Sequence, residues 1–163
     1  MKGIEMGKTQ LNKELNLSYP DEFKVLSGED LKKYRFFEEA PGFCISDAER
    51  HIMISASWRQ ANPFVAMLAG TADIARNMEA KIRKPMSKFG YHLEEFMTRQ
   101  IGGKPADGYR YTYSVQDIGM VGETLSVKSG SNFYYIHSYF REELREESLK
   151  LLDEIFTEVT WEE

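Results

Sequence analysis

The sequence has one cysteine, Cys44, among its 163 residues, so it cannot form an internal disulfide bond. A lone cysteine fits a reducing compartment, and we therefore expect a cytoplasmic protein. The three histidines, His51, His92 and His137, have no second histidine or cysteine at the spacing of a local zinc site. We predict no metal site and no bound cofactor, which leaves open only a zinc site assembled from distant strands.

Long hydrophobic runs are also missing. The first residues, "MKGIEMGKTQLNKEL", lack the apolar stretch of about 7–15 residues that a signal peptide requires. No later segment approaches the roughly 20 apolar residues of a membrane-spanning helix. We expect neither a leader nor membrane association.

The sequence has few basic residues relative to acidic ones. It contains 21 Lys and Arg residues against 26 Asp and Glu residues, which gives a formal net charge of −5. The basic residues are dispersed along the chain instead of forming a stripe. A protein that binds nucleic acid needs a basic footprint, so nucleic acid is not an expected partner.

Signatures of catalysis are absent. No G-x-S-x-G elbow occurs, and "GGKPADG" lacks the spacing of a phosphate-binding loop. A hairpin that turned at residues 48–49 would pair Cys44 with Met53 and place His51 diagonally about 7–8 Å from Cys44. A nucleophile and its base need about 3 Å. We therefore predict a buried, inert thiol and no catalytic residues.

The residues that are present describe an ordinary globular protein, with 42% hydrophobic and 29% charged residues. A chain of this length buries enough surface for a single core. We predict one domain over residues 1–163, in which residues 1–10 form a loose N-terminal extension.

The first half of the chain predicts extended segments and one long helix. An extended segment around Pro20 leads to a short helix over residues 28–34 and a loop over 35–42. A hairpin follows, in which alternating apolar residues predict strands over residues 43–47 and 50–58.

Asn62 and Pro63 then begin a helix that we expect to continue to Lys84, where Pro85 ends it. Its predicted apolar stripe is formed by residues three and four positions apart: Phe64, Met67, Leu68, Thr71, Ala75, Met78 and Ile82.

The second half predicts four strands joined by short turns, followed by a helix over residues 142–158. The glutamates at the start of this helix suit the positive end of the helix dipole and predict a solvated face. The element order indicates an α+β fold, in which an antiparallel sheet, a meander plus a hairpin, is sandwiched between helices.

The last strand, "FYYIHSYF" over residues 133–140, is apolar on both of its faces. A strand half open to water alternates between polar and apolar residues, whereas a strand covered on both sides does not. We therefore predict that helices enclose this strand from both sides.

The segment "YPDEFKVLS", the hairpin through "HIMISASW", the long helix, the meander ending in "FYYIHSYF" and the closing helix together resemble the Mog1/PsbP-like family. The resemblance implies an α/β/α sandwich and a mostly non-catalytic role. Eukaryotic Mog1 proteins bind the small GTPase Ran, PsbP supports the oxygen-evolving side of photosystem II, and some bacterial relatives act as adaptor chaperones. The missing targeting segment argues against the PsbP role.

Two functional hypotheses remain open. The first is a non-catalytic cytoplasmic adaptor or protein-interaction domain, with Phe36 and Phe37 contacting a protein partner unless they pack as a lid on the core. The second is a small-molecule binder or enzyme whose pocket lies between the meander and a covering helix. Its polar groups would be Tyr135, His137 and Tyr139.

Overall fold

The computed structural model of the protein describes residues 6–11, 14–26, 43–68 and 70–162, with the backbone alone for residues 6–11. The predicted helix over residues 28–34 and the predicted partner-binding residues Phe36 and Phe37 lie outside the described residues.

The described residues form ten strands, numbered here in chain order. They are β1 (Met6–Leu11), β2 (Leu15–Pro20), β3 (Lys24–Val25), β4 (Phe43–Asp47), β5 (Ile52–Gln60), β6 (His92–Ile101), β7 (Lys104–Val115), β8 (Ile118–Ser129), β9 (Asn132–Arg141) and β10 (Thr160–Trp161). Seven of them form an antiparallel sheet in the order β3-β4-β5-β9-β8-β7-β6. The predicted meander is β6–β9, and β9 joins it to the predicted hairpin β4–β5, so the predicted α+β fold is confirmed.

A smaller sheet consists of β1, β2 and β10, with β2 in the middle. Both neighbours pair with β2 in the antiparallel direction. Residues 6–10, which we expected to belong to a loose extension, therefore lie in a strand. The partner strand, and not the local sequence, determines this pairing, since the polar segment "MGKTQL" has no apolar face of its own.

The described helices are α1 (Pro63–Leu68), α2 (Thr71–Met86) and α3 (Arg145–Thr157). Short 3-10 turns follow α2 at Ser87–Phe89 and precede α3 at Glu142–Leu144. None of the helices that the structure describes has the length and apolar character needed to cross a bilayer.

The long helix that we predicted from residue 62 to residue 84 is divided into α1 and α2. Gly70 has an extended backbone, with φ −92° and ψ 141°, and therefore interrupts the helical conformation before Thr71. In α1, the predicted stripe residues Phe64, Met67 and Leu68 are exposed instead of buried. Only the α2 part of the predicted apolar stripe packs on the sheet.

The hairpin β4–β5 also differs from the prediction. Cys44 pairs with Ser55 and not with Met53, because the turn contains residues 48–51 instead of two residues. The register shifts by two positions, an even number, so every side chain keeps its face of the sheet.

Asp47 explains the longer turn. Its Oδ1 accepts hydrogen bonds from the backbone N–H groups of Glu49, at 3.0 Å, and Arg50, at 3.2 Å. Its Oδ2 accepts a further bond of 2.9 Å from the Arg50 guanidinium. An aspartate side chain that bonds the backbone two and three residues ahead stabilises a turn of this kind.

The two faces of the large sheet are covered differently. On the α3 face, helix α3 and the small sheet enclose the main core, which includes Tyr134, Ile136 and Phe140 of β9. On the α2 face, helix α2 packs on β7 and β8. There β9 presents Phe133, which is buried, and the half-buried Tyr135, His137 and Tyr139. The predicted burial of β9 is complete on the α3 face and partial on the α2 face.

The turn between β7 and β8 yields a stability prediction. Gln116 and Asp117 are its two central residues and have φ values of 50° and 65°, as in a type I′ turn. Asn-Gly suits this geometry best, so the double substitution Gln116→Asn, Asp117→Gly should raise the free energy of unfolding by about 1 kcal/mol. Urea denaturation measures this change. As a control, Gly130→Ala should lower the free energy of unfolding, because Gly130 in the next turn has φ 59°. A neutral or negative effect of the double substitution would contradict the assignment.

Candidate functional site

A row of side chains crosses the α2 face at one level of five adjacent strands. Its members, given by the strand register, are Cys44 on β4, Ser55 on β5, His137 on β9, Thr124 on β8 and Tyr109 on β7. The row contains two residues that our sequence reasoning singled out, Cys44 and His137. It also shows why the spacing along the chain concealed the arrangement, since antiparallel pairing brings together residues that are far apart in sequence.

His137 is held by its neighbour on β8. Its Nδ1 lies 2.9 Å from the Thr124 hydroxyl oxygen, a hydrogen-bond distance. Burial lowers the pKa of His137 to about 4, so the imidazole is neutral at physiological pH. A neutral imidazole exchanges one hydrogen bond with the threonine and carries no charge for a ligand.

The serines around His137 do not form a catalytic pair with it. Within the described part of the chain, the Oγ atoms of Ser55 and Ser126 are buried and have no hydrogen-bond partner. A serine nucleophile needs a hydrogen bond to its base, and Ser55 lacks one although it lies directly opposite His137. No group of three histidine, cysteine, aspartate or glutamate side chains able to hold a metal occurs among the residues described.

Cys44 is fully buried, and burial raises the pKa of its thiol to about 12. The thiol therefore stays protonated and unreactive at physiological pH. His51 lies in the turn, on the surface, with φ 53°. Cys44 is thus buried, as we predicted, although the register that led to the prediction was wrong.

A tyrosine cluster fills the space between α2 and the meander. The ring of Tyr111 lies 5.2 Å from that of Tyr91, 5.8 Å from that of Tyr109 and 5.7 Å from that of Tyr113, measured between centroids. Gly122 makes room for Tyr111, since a Cβ at position 122 would lie 2.2 Å from the ring. The cluster is therefore a packed layer between the helix and the sheet.

A buried carboxylate from α2 anchors the edge of this layer. Glu79 binds the Arg83 guanidinium and accepts a hydrogen bond of 2.7 Å from the Tyr91 hydroxyl. The hydrogen bonds from Arg83 and then from Tyr91 outweigh the opposing effect of burial and hold the pKa of Glu79 below its usual range. The Glu79 carboxylate is therefore charged, and its hydrogen bonds attach α2 to the tyrosine cluster.

A cleft of about 350 Å³ opens at the end of the α2 face, between the β4–β5 and β7–β8 turns. Its lining combines apolar and polar side chains: Ser46, Asp47, Ala48, His51, Ile52, Met53, Tyr113, Val115, Gln116, Ile118, Met120, Tyr139 and Arg141. Tyr139 is the one predicted pocket residue in this lining. Its ring is stacked with that of His137, at a centroid distance of 6.4 Å and an interplanar angle of 12°. Tyr135 and His137 do not line this cleft.

An ionic network lies on the α3 face, and sequence reasoning missed it. The Glu123 carboxylate is fully buried between the guanidinium groups of Arg99 and Arg110. Arg99 also binds Asp153 of α3, and thereby links the helix to the sheet. The available signal was a glutamate in the apolar run of β8, at a position that faces an arginine on β7.

The exposed apolar surface of α1 was also missed. Its side chains Phe64, Val65, Met67 and Leu68 are 65%, 51%, 69% and 69% exposed, whereas Ala66 is buried. Buried aliphatic and aromatic groups stabilise a protein, so a cluster of this kind on the surface is unusual and marks an interaction site in many proteins.

Comparison with known proteins bears on the fold. The sequence matches no protein-family model, and no curated protein sequence matches it. Cyanobacterial PsbP, CyanoP, from Synechocystis sp. PCC 6803 has a similar structure, with a TM-score of 0.69 and 11% identity over 99% of this chain and 95% of that chain. The Ran-binding protein Mog1p of Saccharomyces cerevisiae is also similar, with a TM-score of 0.53 and 10% identity over 96% of this chain and 95% of that chain.

The chain adopts the Mog1/PsbP-like fold. A third protein of similar structure, LpqN of Mycobacterium tuberculosis, is involved in cell envelope biogenesis. Its TM-score is 0.54, with 13% identity over 99% of this chain and 93% of that chain. The Mog1/PsbP-like fold thus matches over nearly the whole length of all three proteins, as the resemblance of the sequence implied.

Proposed function

We propose that this protein is a non-catalytic adaptor domain that binds a protein partner through the apolar surface of α1. The observation that carries the proposal is the exposure of Phe64, Val65, Met67 and Leu68 within five consecutive residues. The partner is expected to offer an apolar groove that accommodates a short helix.

The concentration of these side chains favours a binding site over chance exposure. Single exposed apolar residues are common on protein surfaces, but adjacent ones mark interaction sites. Among the described residues, the other large hydrophobic side chains that are exposed, Val25, Phe96 and Ile118, lie on three different strands. The four on α1 share one and a half helical turns.

The attachment of α1 to the domain also supports the proposal. The Asn62 side chain accepts a hydrogen bond of 2.8 Å from the backbone N–H of Phe64, and so caps the helix. The Lys128 ammonium donates to the Ala66 carbonyl oxygen, and the N–H of Ala61 donates to the Ser131 carbonyl oxygen at 2.8 Å. A fixed helix loses little conformational entropy on binding, which favours affinity.

The fold comparison supports a protein as the partner. Mog1p, whose structure is similar, is a Ran-binding protein. A fold that presents a protein-binding surface in one case can present a different surface for a different partner in another.

Quantitative affinity capture with three forms of the protein tests the proposal. The forms are wild type, the double variant Phe64→Ser, Leu68→Ser, and the control Val25→Ser, which removes an apolar side chain that is 56% exposed on β3. We expect a photo-crosslinker at position 67 to attach to one partner protein. Wild type and control should retain this partner, and the double variant should lose at least about nine-tenths of it.

Two outcomes would overturn the proposal. One is equal recovery of the crosslinked partner with all three forms. The other is crosslinking of position 67 to a second copy of the chain alone, with a dimer in light scattering, since α1 would then be an oligomer interface.

We propose that Phe36 and Phe37 also contact the partner. The variant Phe36→Ala, Phe37→Ala should therefore reduce recovery of the partner in the same capture experiment.

We also propose a cytoplasmic location. Cell fractionation should place the protein with the cytoplasm, where its unpaired Cys44 would stay reduced.

A further inference from the structure

We propose that the cleft between the β4–β5 and β7–β8 turns binds a small molecule that has an apolar ring or chain and one carboxylate. This site is separate from the adaptor surface on α1, and it shares no residue with it.

The shape and floor of the cleft suit the apolar part of such a ligand. Its volume, about 350 Å³, lies within the range of about 300–1,000 Å³ that small-molecule sites occupy. Tyr113, Tyr139, Met53 and Met120 are among the lining residues, and aromatic and methionine side chains adapt well to flat or extended apolar groups.

The arginine in the lining of the cleft favours an anionic ligand. Asp47 is the acidic residue of the lining, and its two carboxylate oxygens already accept bonds from the backbone and from Arg50. The Arg141 guanidinium makes one ion pair among the described residues, at 3.4 Å from the carboxylate of Glu143, which is mostly exposed. Its remaining N–H groups are therefore available to a ligand carboxylate, which arginine binds in a bidentate manner.

The backbone conformation of the two turns supports a ligand-binding role for the side chains at the rim of the cleft. In the described chain the non-glycine residues with positive φ are His51, Gln116 and Asp117, and all three lie in the two turns that bound the cleft. Glycine or asparagine would occupy such positions with less strain. His51 and Gln116 instead supply long polar side chains to the lining. Strained residues of this kind occur frequently at ligand sites.

Titration with a matched pair of probes tests the proposal. The probes are 2-naphthoate and its neutral analogue 2-naphthamide, and binding is measured by calorimetry and by shifts of backbone amide resonances. We expect naphthoate to bind about tenfold more tightly than naphthamide, with shifts in the β4–β5 and β7–β8 turns.

Variants distinguish the contribution of the Arg141 charge to binding from the contribution of the cleft itself. Arg141→Gln should abolish the preference for naphthoate and leave naphthamide binding unchanged, whereas Arg76→Gln, the same change on an exposed arginine of α2, should keep the preference. Ser46→Phe should fill the cleft and reduce the affinity for both probes at least about tenfold. Because Arg141 lies at the surface end of β9, its variant should fold even if Ser46→Phe does not.

Three results would overturn the proposal: no binding of either probe to the wild type, equal affinity for both probes, or a preference for naphthoate that survives Arg141→Gln. Shifts confined to α1 would likewise assign the binding to a different surface.

Discussion

The substitution Glu123→Gln should lower the free energy of unfolding by about 3–5 kcal/mol, which is a large fraction of the stability of a domain. The Glu123 side chain is fully buried, and two guanidinium groups surround it. The amide would occupy the same space without the negative charge. Arg99 and Arg110, whose side chains are 12% and 14% exposed, would then be buried without their shared anion.

The neighbouring residue Glu95 provides the control. Its carboxylate lies 3.2 Å from the same Arg110, but its side chain is 54% exposed. Water screens such a pair, so Glu95→Gln should change the stability by no more than about 0.5 kcal/mol. Urea denaturation of both variants measures the difference. A loss below about 1 kcal/mol for Glu123→Gln would show that the buried network contributes little.

The stability of the protein should also fall by about 2 kcal/mol as the pH is lowered from about 7 to 4.5, because of His137. Burial depresses the pKa of the folded-state imidazole to about 4, whereas an unfolded histidine has a pKa of about 6.5. Between these values the unfolded chain binds a proton that the folded protein does not. The contribution of neutral His137 is therefore present above about pH 6.5 and is lost as the pH falls toward 4.

The variant His137→Gln isolates this effect. Glutamine can bond the Thr124 hydroxyl but does not titrate, so unfolding measured by urea at several pH values should show little slope between about pH 5 and 7. The carboxylate of Glu79 has a lowered pKa and contributes only at more acidic pH. Equal slopes for wild type and variant would mean that His137 is not protected from protonation.

The sequence predicted the residues of the candidate sites only in part. Tyr139 was expected in a pocket between the meander and a helix but lines a cleft between two turns, and Tyr135 and His137 do not line that cleft. The cleft itself depends on the meeting of two turns that are about 65 residues apart in sequence, and no local pattern indicates it. The exposed surface of α1 was predicted as part of a buried stripe, because helical periodicity continues through residues 64–82 although the backbone of Gly70 is extended.

The sequence by itself determined the meander, the existence of the hairpin and the helix that closes the chain. Alternation of apolar residues every second position, and their recurrence every third or fourth position, are properties of neighbouring residues and are visible without coordinates. The acidic residues at the start of the last helix are exposed, as their position at the positive end of the helix dipole predicted.

The tertiary structure alone decided which charges are buried and where a ligand or a partner has access. Both properties depend on segments that are distant in sequence: Glu123 binds Arg99 of another strand, and His51 and Gln116, from two different turns, line the same cleft. Such contacts form only when the whole chain has folded, because the energy of a charge or a cavity depends on everything that surrounds it.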